Sequence, residues 1–126
     1  MTQLTNASAP RKGETAGLWF IKMVTGPLLI IVLVIHMIVN HLVAEGGLMT
    51  YKDVVIYFRN PWVVAMEITF LVVVAIHSLL GLRTIILDMN PGRALLKVVN
   101  WVLVLAGTGA IVYGVWLALT VAAQTV

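Results

Sequence analysis

The stretch PWVVAMEITFLVVVAIHSLLGLRTIILD, Pro61 to Asp88, decides the fold. Its charge is confined to Glu67, Arg83 and Asp88, and a lone histidine, His77, sits deep within it. Roughly 20 apolar residues suffice for a helix to cross a bilayer, and this run exceeds that length. Pro61 is well placed for a first helical turn, where its missing N–H costs nothing. The stretch reads as one membrane-spanning helix.

Two similar runs flank it. Downstream, Asn90-Pro91-Gly92 marks a turn, and a further span is predicted from about Arg93 to Ala122. Upstream, a span runs from about Leu18 to Val43, with Gly26 and Pro27 interrupting its start so that the embedded part begins near Val24. The connection after it carries a helix stop, Glu45-Gly46-Gly47, and a short interfacial helix over Thr50–Phe58. The link between the later spans is short, which predicts an antiparallel hairpin. The fold class is therefore all-α, an integral membrane protein of three transmembrane helices. Residues 1–16 form a polar tail and residues 17–126 the membrane domain.

Composition agrees. Of 126 residues, 61% are apolar and 10% charged, with a mean hydropathy of +1.04. Soluble domains run near 45–50% apolar and about 25% charged, and a small globule has too much surface to hide such an excess. Membrane lipid must cover the rest. The tail lacks a long apolar core with a small-residue cleavage site, so no signal peptide is expected. With no cysteine, neither a disulfide nor thiolate ligation is available. The charge of +3 and the pI near 9.6 read as loop charges that set topology, and no nucleic-acid partner is expected. Arg11, Lys12, Lys22, Arg83, Arg93 and Lys97 share one side, against Lys52 and Arg59 on the other. This bias predicts a cytoplasmic N-terminus and a C-terminus outside.

Ionisable side chains inside a bilayer are costly and mark function by default. The first span holds His36, Asn40 and His41; the second holds Glu67 and His77. On the second span Glu67, Phe70, Val74, His77, Gly81, Thr84 and Asp88 recur every three or four residues and share one face. His77 and Asp88 stand about 16 Å apart along the axis. Gly81 removes bulk beside His77, as a flat macrocycle against the helix requires, or as a closely packed neighbouring helix does. A histidine here also has a plainer use, a hydrogen bond to a nearby carbonyl or hydroxyl, and spacing alone leaves both open. His41 falls near the outer interface, within reach of water. In the last span Ala106, Ala110, Gly114, Ala118 and Ala122 form a small-residue stripe suited to helix packing.

Two axial imidazoles of one haem lie at similar depth. With span midpoints near Leu33 and Val74, His36 lies about 5 Å outward and His77 about 5 Å inward. A separation of roughly 10 Å suits two haems stacked across the membrane better than one shared haem. Asn40, Ser78 and Thr108 are unranked candidates to bond the second nitrogen of each ring.

The segment from His77 through Gly81 and Arg83 to Asp88 resembles the signature of succinate dehydrogenase haem b membrane anchor subunits. Thr25-Gly26 resembles their Ser/Thr-Gly pair at the entry of the first helix, and His36 to His41 resembles the outer half of that helix in two-haem members. The resemblance implies half of a heteromeric helical bundle in the inner (plasma) membrane. Its implied partners are a second membrane anchor subunit, an iron–sulfur subunit and a flavoprotein subunit. It implies a cytochrome b holding b-type haem, one or two per complex with two favoured, with His77 and His36 as axial ligands of haem iron and His41 a less favoured ligand. Electrons pass from the iron–sulfur subunit to quinone, the substrate, as part of the tricarboxylic acid cycle enzyme. This chain alone would carry no dehydrogenase site. Many members have tyrosine after the aspartate, where Met89 stands here, and arginine three residues before the glycine, where Met23 stands beside Lys22. That assigns much of the quinone site to partner chains and leaves Asp88, Arg83, Lys22 and Thr25 as candidates at the cytoplasmic face. Snorkelling serves the two bases equally well, and a loop contact would serve Asp88. Rival readings are a fumarate reductase or other cytochrome b anchor, and a non-haem transporter or structural subunit with Glu67, His36 and His77 as a polar path.

Overall fold

The computed structural model describes residues 14–43 and 49–125. Helix α1, Ala16–Ile38, begins at Thr15, whose hydroxyl accepts the Leu18 N–H. It passes into a π-helical turn, Val39–Val43. Helix α2, Tyr51–Phe58, starts with a capping box in which the Thr50 and Asp53 side chains each bond the other's backbone N–H. The Thr50 hydroxyl and, after it, the Thr50 N–H donate to the exposed Asp53 carboxyl and hold it below its ordinary range. Helix α3, Pro61–Asp88, is capped by Asn60, and α4, Arg93–Ala122, follows Gly92. No strand occurs among the described residues.

Three of these helices, Ala16–Leu42 with its π-helical end, Pro61–Asp88 and Arg93–Ala122, are long and apolar enough to cross a membrane. The predicted spans match to within two residues at each end. One expectation changes. Gly26 and Pro27 do not interrupt α1, which stays continuous through both. Transmembrane helices tolerate Gly and Pro where neighbours satisfy the freed backbone groups. The expected stop at Glu45-Gly46-Gly47, and Arg11 and Lys12 of the tail, lie outside the described residues.

Helix α3 is central. It packs on α1 along one side and on α4 along another, while α1 and α4 do not touch among the described residues. The predicted hairpin of α3 and α4 is present. Asn90 turns the chain with φ of 51°, a left-handed conformation that Asn tolerates better than most residues. Short α2 lies across the opposite end against α3 and α4, and the Tyr51 hydroxyl donates to the Gln124 side chain.

The α3–α4 seam uses only part of the predicted stripe and adds Gly107. A Cβ on Gly107 would lie 2.3 Å from Leu79 Cδ1, and one on Gly114 would lie 2.5 Å from Leu71 Cδ2. Ala106 and Ala110 are exposed instead, and only Gly114, Ala118 and Ala122 of the stripe turn inward. A spacing of seven returns Gly107 and Gly114 to the same side of the helix, as a seam near 3.5 residues per turn requires.

Candidate functional site

The face of α3 that carries His77 is the face that meets α1. Nδ1 of His77 lies 3.1 Å from Thr25 Oγ1, and the Thr25 hydroxyl donates to the Lys22 carbonyl at 3.2 Å. A hydroxyl has one proton. With that proton on the carbonyl, Thr25 accepts from His77 Nδ1–H, which fixes the tautomer and leaves the Nε2 lone pair for a ligand. The neighbouring Gly26 admits the ring: a Cβ there would come 3.4 Å from His77 Cε1. Thr25-Gly26 and His77 are therefore two halves of one site.

One turn beyond, Lys22 Nζ donates to Thr84 Oγ1 at 3.1 Å and to Glu14 Oε1 at 2.8 Å. Thr84 donates in turn to the Leu80 carbonyl. The Glu14 side chain is only 3% exposed, and its Oε2 has no partner among the described residues. On the α4 side Arg83 Nε donates to Asn100 Oδ1 at 2.9 Å. An open apolar groove of about 390 Å³ leads from that pair between α3 and α4, past Leu79, Gly107 and Thr108. Asp88 closes α3 and is exposed.

A second cluster forms at the other end of the α1–α3 seam. His36 Nδ1 donates to Glu67 Oε2 at 2.9 Å. Asn40 Nδ2 donates to Glu67 Oε1 and to the His36 carbonyl, both at 2.9 Å. Those two bonds use both amide protons, so its approach to His36 Nδ1 is contact only. From α2 the Tyr57 hydroxyl donates to Glu67 Oε1 at 3.0 Å. Burial, then the bond to Glu67, raises the Tyr57 phenol above its ordinary value. Phe70 stacks on the His36 ring with centroids 4.6 Å apart. His41, on the π-helical turn, is exposed.

The two clusters are separate. Thr25 and His36 are eleven positions apart on α1 and Glu67 and His77 ten positions apart on α3, or about 15 Å. That exceeds the 10 Å read from helix midpoints. Buried Val32 and Val73 fill the layer between, so the polar path through Glu67, His36 and His77 is interrupted by valines.

Of the three side chains expected at the ring nitrogens, Asn40 does come within 3.1 Å of His36 Nδ1, but the two that hold the rings were not among them. Ser78 is exposed and Thr108 lines the groove, whereas Thr25 and Glu67 hold the rings. The readable signal was the small pair Thr25-Gly26, which suits a ring from a neighbouring helix. Gly81 behaves differently from the seam glycines, since a Cβ there would meet nothing within 4 Å. It faces open space, as Gly17, Gly92 and Gly109 do, and no neighbour within the described residues explains it. The residues present suit an imidazole-ligated macrocycle.

This geometry defines a multi-pass membrane protein that fixes two imidazoles at different depths across one helix seam. A family model described as succinate dehydrogenase/fumarate reductase transmembrane subunit matches residues 3–123. The succinate dehydrogenase hydrophobic membrane anchor subunit of Archaeoglobus fulgidus is 33% identical over 99 residues, covering 79% of this chain and 84% of the relative. That of Thermoplasma acidophilum is 29% identical over 107 residues, covering 85% and 87%. The chain belongs to the succinate dehydrogenase/fumarate reductase transmembrane subunit family, as a membrane anchor.

Proposed function

We propose that this anchor holds b-type haem in the membrane arm of a succinate dehydrogenase and helps pass electrons from an iron–sulfur subunit to quinone. The observation that carries the reading is the His77–Thr25–Lys22 chain. It leaves His77 Nε2 as the basic nitrogen, and a ligating imidazole typically has its other N–H bonded in this way. His36, with Nδ1 on a carboxylate, meets the same requirement. Haem held by His77 and by His36 would supply electron transfer in place of oxygen binding.

Each histidine would serve its own haem, because a 15 Å offset along the seam is too large for opposite faces of one iron. The second imidazole of each pair would come from a second anchor subunit, which also completes the bundle. Flavoprotein and iron–sulfur subunits would dock where Lys22, Arg83, Arg93 and Lys97 gather. The basic bias makes that end cytoplasmic, with the C-terminus outside the inner (plasma) membrane.

Within this arrangement the chain's own groups have defined tasks. Thr25 holds the His77 ring and its proton; Gly26 keeps a side chain out of its way. Quinone reduction consumes two protons, and Lys22, Arg83 and Asp88 are the groups of this chain near the end where quinone would bind. Both named relatives are succinate dehydrogenase anchors, which favours succinate oxidation over fumarate reduction.

A reduced-minus-oxidised visible spectrum of the purified complex tests the proposal. The expected result is the alpha band of b-type haem, diminished in His77→Ala. Absence of haem absorbance from the wild-type complex would overturn it.

A further inference from the structure

We infer that Glu67 is the positioning residue of the His36 imidazole, and that Tyr57 on α2 sets how strongly it acts. This rests on the reading of His36 as a haem ligand. The Glu67 carboxylate lies in a membrane span, where it needs partners, and it collects three donors from three elements. Oε1 takes the Asn40 amide from the π-helical turn and the Tyr57 hydroxyl from α2. Oε2 takes His36 Nδ1. With Phe70 stacked on one ring face and Asn40 on the His36 carbonyl, the ring is fixed by its nitrogen, its face and its backbone.

Such a carboxylate does more than orient. An acceptor pulling on Nδ1–H makes the imidazole a stronger donor through Nε2, and its charge favours the ferric over the ferrous state. Both effects lower the reduction potential of an iron held there. Tyr57 acts in the opposite sense. Its bond to Oε1 draws charge from the carboxylate and weakens the pull on His36. The interfacial helix is thereby coupled to a ligand inside the membrane through one phenol.

The test is a redox titration of haem absorbance in the assembled complex, with His36→Ala identifying the haem of this site by its loss. Glu67→Gln keeps the shape, removes the charge and turns one accepting oxygen into an NH2 donor, so the bond from His36 or the pair from Asn40 and Tyr57 is given up. It should retain the haem and shift its oxidised-to-reduced ratio about tenfold, or about 59 mV upward for one electron. Tyr57→Phe should shift the same haem downward. An unmoved midpoint in Glu67→Gln with haem retained overturns the inference, and so does a shift of both variants in one direction, which marks loosened packing. Should Glu67→Gln fail to assemble, Tyr57→Phe decides: a fall supports the inference, and a rise or no change overturns it. Retention of every haem in His36→Ala would instead overturn the ligand reading itself.

Discussion

Thr25 and His77 are 52 residues apart in sequence, yet Thr25 Oγ1 and His77 Nδ1 meet at 3.1 Å across the α1–α3 seam. Because the hydroxyl spends its proton on the Lys22 carbonyl, this contact has a direction: the ring donates and the hydroxyl accepts. It joins the entry of the first span to the middle of the second.

Thr25→Val keeps the shape of residue 25 and removes the acceptor. The His77 ring then loses its fixed tautomer, and haem affinity at this site should fall about 10–100-fold, the usual cost of removing such a partner. Thr25→Ser should restore it. Haem titration of the detergent-purified complex measures both.

Gly26 yields a graded series. A methyl group at 3.4 Å from His77 Cε1 is close to ordinary contact, so Gly26→Ala should keep the haem. Gly26→Leu must displace the ring from Thr25 and should lose the haem associated with His77 while sparing the one associated with His36. Haem-to-polypeptide ratio distinguishes the two variants.

The α3–α4 seam is separable from the histidines. A side chain on Gly114 meets Leu71 at both methyls and at Cγ, so the whole leucine must move. Gly114→Val should destabilise the hairpin by about 1–3 kcal/mol through overpacking, lowering the thermal midpoint with the visible spectrum below that midpoint unchanged. A spectral change at low temperature would contradict the separation.

Tyr57 has a pH signature. Burial and the bond to Glu67 raise its pKa above the ordinary value near 10. A group favoured in its protonated form by the fold leaves stability intact below the unfolded pKa, and stability then declines as pH rises toward the folded value. Phenolate absorbance from Tyr57 should therefore develop above the ordinary range, and Tyr57→Phe should remove that late component. A titration that Tyr57→Phe leaves unaltered would count against the buried bond.

The spans were legible because bilayer thickness imposes a long apolar run, and caps such as Asn60-Pro61 and the Asn90 turn are local signals. The His77 face was legible from 3.6-residue periodicity. The partners were not. Thr25 and Glu67 reach the imidazoles from another helix, and their meeting depends on the register between α1 and α3, which no local pattern encodes. Depth from helix midpoints failed for the same reason: it ignores how far one helix slides past the other, and the offset grew from 10 Å to about 15 Å. The small stripe on α4 was half legible: Gly114 carries a seam contact as expected, but Ala106 and Ala110 have the right size on an exposed side, and Gly107, outside the stripe, carries the other contact.

The central claim is that the two imidazoles serve two separate haems. Haem stoichiometry of the purified complex tests it most directly, by pyridine haemochrome absorbance against polypeptide. Two b haems per complex are expected, with one lost in His77→Ala and the other in His36→Ala. A single haem in the wild-type complex would contradict it.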